Sequence, residues 1–370
     1  MILFLWLGLF AVFFGSYGTY FAYLRLQANR DWHLKKDPHF VPPITVLVPV
    51  HDEENCISKK LDNILRVTYS HGKMEVILID DASTDRTLAE AEDFLQNHPE
   101  LHVTILKQNP RMGKAYALNK GLQASSHDII VVSDADALWP PDILDKALPY
   151  LSDPRVGAIT GHQVADSDGQ SWAANVEKNY LSLMLVLRLG ESKIHSTIRF
   201  EGVFCAFRRN AFKEFDVETG ADDSGAALEV IQNGFRAILV PEIAVPSAVP
   251  ETLVKRTKTK IRRATQLTGL WSRCLRLLLS RKLILPKRIA LPEIFLSLFA
   301  PFVFVSLVII TPLLVITDPF VFVMVIATVS VLGLIPKTRG YLIQGILDQF
   351  VLFYSIILNA GKKRFVTWEK

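Results

Sequence analysis

Two hydrophobic patterns divide the chain. At the ends apolar residues run almost unbroken; in the middle they come in short bursts separated by polar, helix-length stretches. From Met1 to Leu24 no residue carries a charge. At about 1.5 Å per residue a helix of that length crosses a hydrocarbon core of about 30 Å, so residues 1–24 are expected to form a transmembrane helix. A cleaved signal peptide is the alternative, with Gly15-Ser16-Tyr17-Gly18 as a weak cleavage region. Against it, the apolar run continues through Thr19-Tyr20-Phe21-Ala22-Tyr23, and no charged region precedes it.

Residues 25–43 read as a juxtamembrane linker ending in Pro42-Pro43. Beyond it, Ile44–Val50 is a β-branched run of the kind buried in a parallel sheet, and Glu75–Asp80, Val103–Leu106 and Asp128–Ser133 repeat the pattern. Helical stretches are expected between them: Cys56–Arg66, Asp85–Asn97 after the capping residue types Ser83 and Thr84, and Lys114–Ala124. Such alternation predicts an α/β fold with a mostly parallel, doubly wound sheet, and ligands bind such sheets beyond the carboxyl ends of the strands. Acidic residues gather there: Asp80 and Asp81 after one strand, Asp134 and Asp136 after another.

From Lys255 to Arg288 every charged residue is basic, and in the later part leucines and isoleucines interleave. A helix over residues 271–290 resting among anionic headgroups fits this mixture, and a solvated basic face is the alternative. Ile294–Ile316 and Phe320–Ile335 are strongly apolar and joined by Thr317-Asp318-Pro319, a pattern for a membrane hairpin. Tyr341–Ala360 holds Gln344, Asp348 and Gln349, and Lys362-Lys363-Arg364 follow it. The segment either spans or lies as an interfacial or re-entrant helix, so residues 291–360 hold two or three spans, with a basic tail at 361–370.

Charge sets the orientation. Arg25, Arg30, Lys35 and Lys36 follow the first apolar run, which places the amino terminus outside and the central domain in the cytosol of an integral plasma-membrane protein. Cys56, Cys205 and Cys274 are far apart without metal-ligand spacing, which fits a reducing compartment. A net charge of +4 without aromatic-basic patterning speaks against nucleic acid as a partner.

Asp134-Ala135-Asp136 ends a buried strand. Two carboxylates one residue apart can share Mn2+ or Mg2+ with a diphosphate, since hard cations take oxygen ligands and accept phosphates as partners. Alone, such a pair also serves to cap turns. Three further motifs precede it in order: Pro49-Val50-His51-Asp52-Glu53-Glu54, Asp80-Asp81-Ala82-Ser83-Thr84-Asp85 and Gly113-Lys114-Ala115-Tyr116-Ala117-Leu118-Asn119-Lys120-Gly121.

Together these resemble the family 2 glycosyltransferases of GT-A fold, whose patterns P-x-x-N-E, D-D-x-S-x-D, G-K-x-x-A-L-N-x-G and D-A-D come in that order. Gly202–Phe212 resembles the family's later glycine-to-arginine segment, and the likeness extends from about Ile44 to Leu270. It implies a GT-A domain over 44–270 that uses a nucleotide diphosphate sugar, UDP favoured. Base and ribose contacts would fall to Pro49, His51, Glu53, Asp80 and Asp81, and Lys114 would meet the diphosphate. His51 and Asp52 stand where the family has an aromatic residue and asparagine. The resemblance makes Asp223 the general base of an inverting transfer, with Asp222 beside it on the acceptor side. The alternative for this pair is an acidic helix start.

The last motif departs from the pattern. Membrane polysaccharide synthases carry Q-x-x-R-W after a proline-containing strand end; here Pro250-Glu251-Thr252 precedes Thr259-Lys260-Ile261-Arg262-Arg263. Arg262 takes the arginine position toward the pyrophosphate, and Arg263 replaces the tryptophan that stacks on the acceptor. Glu201 replaces the cysteine of an acceptor-side cysteine-glycine pair. The implied acceptor is a lipid-linked sugar or a growing polysaccharide. A processive synthase with a secretion channel is the second reading, and a non-catalytic membrane scaffold is a third of another class.

Overall fold

A computed structural model describes residues 1–69, 72–165, 172–247 and 253–361. The expected Pro250-Glu251-Thr252 motif and the basic tail from Lys362 onward lie outside them. The described chain forms two compact units, one built from 26–165 and 180–247, the other from 1–25, 172–179 and 253–361.

The first unit is built on a seven-stranded mixed sheet of order β3-β2-β1-β4-β6-β5-β7. Its strands are β1 (Ile44–Val50), β2 (Met74–Asp81), β3 (Val103–Gln108), β4 (Ile129–Val132), β5 (Val156–Ala165), β6 (Cys205–Arg208) and β7 (Arg236–Ser247). β1 pairs in parallel with β2 and β4, and β2 with β3. β6 runs antiparallel between β4 and β5. All seven residues of β1 are buried, as befits a strand covered on both faces; each such aliphatic side chain contributes about 1.5–3 kcal/mol. Strand order turns back at the β1/β4 junction, and sheets of this kind take ligands beyond the carboxyl ends of the strands at such a point.

Helices α2 (Ile57–Leu65), α3 (Thr87–Asn97) and α4 (Lys114–Ala124) make the crossovers. α4 packs closely because it carries Gly121, where a Cβ would stand 2.9 Å from Ile79 Cδ1 and 3.0 Å from Leu47 Cδ2. α3 starts later than its sequence indicated. Its first turn is held by Asp85, whose Oδ1 accepts the Thr87 amide at 2.9 Å, and neither Ser83 nor Thr84 caps it. The segment expected to be a linker is packed: Lys35 N donates to Asp153 Oδ2 at 2.9 Å, Asp37 N to Ser152 Oγ at 3.0 Å, and Trp32 meets Tyr150 edge-on.

The second unit is helical. α1 (Ile2–Ala28) packs Trp6 and Phe13 against Ala300, Leu307 and Leu314, and Trp6 Nε1 donates to Thr311 Oγ1 at 2.9 Å. Beyond α5 (Ile143–Ala147), α6 (Trp172–Ile194) and α7 (Asp222–Gln232) come α8 (Leu253–Leu279), α9 (Lys287–Ile294), α10 (Ala300–Ile310), α11 (Leu314–Thr317), α12 (Pro319–Leu334) and α13 (Pro336–Ala360). α8 runs unbroken through the boundary expected at 270/271, because the first proline after Leu253 is Pro286. The basic stretch 271–290 is thus the end of one helix, a turn with Arg281 at φ 59°, and the start of another. Lys260 pairs with Asp348 at 2.5 Å, and Asn359 Nδ2 donates to Thr265 O and Thr268 Oγ1 at 2.8 Å, joining α8 to α13.

Among the described residues three helical runs are long and apolar enough to cross a membrane: Ile2–Ala28, Lys287–Thr317 and Ile343–Ala360. The segment expected at Phe320–Ile335 forms a 16-residue helix, about 24 Å long and short of a full hydrocarbon core. Tyr341–Ala360, whose sequence allowed two readings, lies within the single helix α13.

Candidate active site

The site begins with a backbone clamp. Asp81, the last residue of β2, is buried, and its carboxylate accepts the Met112 amide and Gln108 Nε2 on Oδ1 (2.8 and 2.7 Å) and the Gly113 amide on Oδ2 (2.8 Å). Gly113, at φ 102°, turns the chain into α4, a backbone conformation that favours glycine. Lys114, first in α4, is thereby aimed across the strand ends.

Three carboxylates meet its ammonium. Lys114 Nζ lies 2.7 Å from Asp134 Oδ1, 3.2 Å from Asp222 Oδ2 and 3.2 Å from Asp223 Oδ2. Asp134 follows β4 and is anchored by its amide, which donates to Gly202 O at 2.9 Å. Asp222 and Asp223 open α7, where the helix dipole favours anions. Gly202 must be small: a Cβ there would lie 2.5 Å from Lys114 Nζ and 2.7 Å from both Asp134 oxygens.

Electrostatics single out Asp223. Burial pushes its carboxyl up to about 7, opposed by Lys114 and assisted by the like charges of Asp222 and Asp134. Its Oδ1 is buried without a hydrogen-bond partner among the described residues. Asp136 is also raised, first by desolvation and then by Asp134 and Glu53. Lys114 itself is held well above the ordinary lysine value, its carboxylate partners overcoming burial.

Around this centre the loops after β1 and β2 are laced together. His51 Nδ1 is 2.9 Å from Asp81 O, Asp52 Oδ1 accepts the Thr84 amide at 2.7 Å, and the Glu53 amide donates to Thr87 Oγ1 at 2.7 Å. Asp80 is buried, with both oxygens 3.2–3.3 Å from the Ser83 amide. Pro49 is buried within β1. Glu201 is gripped by the buried Arg188, and its Oε2 accepts the Gln163 amide at 3.0 Å.

The structure therefore brings Lys114, Asp134, Asp222 and Asp223 together, with Asp136 beside them on the Asp134 loop. Asp81 is turned toward the 108–113 segment, where it holds two amides and the Gln108 side chain. Arg262 and Arg263 lie on α8, in the other unit.

Lys60 belongs to no sequence motif of the site, yet it touches the Asp134 loop. It occupies the buried face of α2 with Ile57, Leu61 and Ile64, and its Nζ donates to Ser133 Oγ at 2.6 Å and Ala137 O at 2.5 Å. Burial pushes its ammonium down to about 7, opposed by Asp134 and Asp136. The only signal was its place in the apolar periodicity of that helix.

The donor set suits a hard cation. Among the described residues no group of three or more His, Cys, Asp or Glu side chains could enclose a metal, but Asp134 and Asp136 offer two carboxylates from one loop. Magnesium-type ions are commonly held by one or two carboxylates, with substrate phosphates and water completing the shell.

Comparison with known proteins agrees over the same region. Residues 42–265 match the family profile described as glycosyltransferase like family 2. The poly-beta-1,6-N-acetyl-D-glucosamine synthase of Staphylococcus aureus is 26% identical over 258 residues, covering 67% of this chain and 60% of that protein. This chain thus spans about 60% of the length of those curated relatives. The beta-monoglucosyldiacylglycerol synthase of Synechocystis sp. is 36% identical over 118 residues, 32% of this chain and 25% of that one. Among solved structures, the mannosyltransferase PcManGT from Pyrobaculum calidifontis, in complex with GDP-Man and Mn2+, matches with a TM-score of 0.84 and 29% identity. That match covers 98% of this chain and 100% of the mannosyltransferase.

Proposed function

The chain belongs to the family 2 glycosyltransferases, and from that premise we propose that it moves one sugar from a nucleotide diphosphate sugar to a membrane-associated acceptor, with inversion at the anomeric carbon. The observation that carries this reading is the convergence of Asp134, Asp222 and Asp223 on Lys114 beyond the strand ends. Asp134 and Asp136 would hold Mn2+ or Mg2+, and a bound cation supplies charge neutralisation for the leaving nucleotide diphosphate. Lys114 offers a point charge to the same diphosphate. Pro49, His51, Glu53 and Asp80 border the place of base and ribose, and Asp81 serves them indirectly by fixing the loop that carries Lys114.

Asp223 takes the proton of the acceptor hydroxyl. The hydroxyl oxygen forms its bond to the anomeric carbon on one face as the bond to the diphosphate breaks on the other, and the diphosphate leaves with the electron pair. A carboxyl raised to about 7 suits this role, because a general base works best when its pKa lies near the operating pH. Glu201 borders the acceptor side through its neighbour Gly202.

The acceptor is proposed to be lipid-linked, with the catalytic domain on the cytosolic side of the plasma membrane. Three candidate spans support membrane attachment. The likeness to a mannosyltransferase along nearly the whole chain, and Arg263 in place of the synthases' tryptophan, favour single transfer over polymer synthesis. Product length in vitro separates the two.

The decisive test is a donor screen with UDP- and GDP-sugars, with and without Mn2+. Transfer should require the cation and vanish with a chelator. Asp223→Asn should keep nucleotide binding while turnover falls by about 10²–10⁴-fold. Unchanged turnover in that variant would remove the assignment of the base.

A further inference from the structure

The loop bearing Asp134 and Asp136 is gripped from beneath by one short helix. Lys60, on the apolar face of α2, meets this loop three times through Nζ: it donates to Ser133 Oγ at 2.6 Å and to Ala137 O at 2.5 Å, and it lies over the Trp139 ring, 4.3 Å from the centroid. One turn further, Asn63 closes a reciprocal pair with the next anchor. Its Oδ1 accepts the Trp139 amide at 2.7 Å, and its Nδ2 donates to Trp139 O at 2.8 Å. Trp139 is tied in turn to the segment after Gly202, its Nε1 donating to Val203 O at 2.7 Å. Asp134 and Asp136 thus lie between fixed points at 133 and 137–139.

A lysine is an unexpected choice for the position. The periodicity of α2 asks for an aliphatic residue, and burying an ammonium is expensive unless its hydrogen bonds are made. Among the described residues no carboxylate lies within ion-pair distance of Nζ, so Lys60 is not half of a salt bridge. Its contacts are a hydroxyl and a carbonyl at the two ends of the acidic turn. That is the geometry of a tether for backbone, which an aliphatic side chain could not supply.

We propose that Lys60 and Asn63 form a latch that holds the 133–139 turn in its cation-accepting shape, Lys60 being a positioning residue for Asp134 and Asp136. The inference rests on the reading of those two carboxylates as the cation ligands. Two effects of removing Lys60 oppose each other, and their signs differ. As a bare charge near two carboxylates, an ammonium weakens divalent cation binding, so its deletion would tighten it. As a latch, it pre-forms the turn, so its deletion loosens the turn and weakens binding.

The test uses full-length purified protein and Mn2+ as probe, titrated alone and with UDP or GDP, read by the EPR signal of free Mn2+. Lys60→Met, which keeps length and removes the charge, should weaken Mn2+ binding about tenfold or more, the usual consequence of losing a group that orients a ligand. Ser133→Ala should weaken it less, and the pair together no more than Lys60→Met alone. In metal-free protein, hydrogen exchange across residues 133–139 should quicken by about tenfold in Lys60→Met, while the core strands stay protected. Mn2+ affinity unchanged within about twofold, or tightened, overturns the latch. If Lys60→Met does not fold, Ser133→Ala and Asn63→Ser decide by the same two readouts. Asp136→Asn keeps the two proposals apart. Normal Mn2+ binding in that variant defeats the cation site itself; lost binding there with normal binding in Lys60→Met defeats only the latch.

Discussion

Lys114 is a single ammonium facing three carboxylates, so the cluster keeps a surplus of negative charge that adds to the effect of burial on Asp223. That carboxyl, raised to about 7 by burial before any other cause, must be ionised to accept a proton. Transfer should therefore fall as pH drops through an apparent pKa far above the ordinary carboxyl value of about 4. Asp222 contributes by repulsion, so Asp222→Asn should move the acid limb of the pH–rate profile to lower pH by roughly half a unit to one unit. A limb that stays in place, or moves upward, would mean that another group limits the rate. The linkage to stability has the opposite sense. A carboxyl raised in the folded state binds a proton that the unfolded chain has released, so stability falls as pH rises from about 4 to about 7. Asp223→Asn should accordingly match the parent near pH 4 and exceed it in thermal stability above pH 7. Asp134 stands out as half of a carboxylate pair at a strand end, whereas Asp223 and Lys114 are named through the resemblance of their motifs to the family's. The motifs could not show that the Asp81 carboxylate turns to the 108–113 segment, because that depends on the path of those residues. Lys60 was hidden for a related reason: one lysine in Ser58-Lys59-Lys60-Leu61-Asp62 looks like a solvated charge until the helix phase puts it beside Ile57 and Ile64.

At the scale of elements, the turn before β5 shows how one carboxylate joins two parts of the sheet unit. Asp153 is buried; its Oδ1 accepts the Arg155 amide at 2.9 Å and Nε at 3.0 Å, and its Oδ2 accepts Arg155 Nη2 at 2.7 Å and the Lys35 amide at 2.9 Å. The Arg155 side chain, followed by these amides, holds its carboxyl well below the usual range. A depressed carboxyl contributes stability that is complete above its unfolded pKa of about 4 and is lost as pH falls below it. Asp153→Ala should therefore lower the stability of the domain by about 1–3 kcal/mol at neutral pH, with the two unfolding curves converging in acid. A constant difference across pH would contradict the ion-linked origin. The first four strands and their crossover helices were legible because buried parallel strands are β-branched runs with helix-length spacing. Short β6 was not, since its four residues Cys205–Arg208 carry no period, and its antiparallel entry between β4 and β5 is a matter of topology. The boundary expected at 270/271 followed a change in composition, which helix α8 ignores because backbone hydrogen bonding continues until chain chemistry stops it.

For the molecule as a whole, charge and apolar length together specify a topology that labelling can read. Arg25 and Arg30 lie at one end of the first candidate span, while Arg281 and Lys282 precede the second and Lys287 and Arg288 open it. Positive residues beside spans stay on the cytosolic side, so both clusters are expected inside. A run over Lys287–Thr317 that starts inside must deliver Asp318 to the opposite face. The shorter α12 then returns toward Lys337 and Arg339, with local thinning of the bilayer taking up its short length. In intact cells, a membrane-impermeant maleimide should label Asp318→Cys. The native Cys56, half-exposed in the sheet unit, should react only after the membrane is opened, and Cys205 and Cys274 are buried. Cys56 is thus an internal control for the sidedness of the catalytic domain in the same molecule. Labelling of Cys56 in sealed cells would place that domain outside, away from cytosolic nucleotide sugars, and the proposed donor chemistry would fail with it. Labelling of neither position would instead make Lys287–Thr317 a re-entrant helix, leaving Ile2–Ala28 and Ile343–Ala360 as the candidate spans.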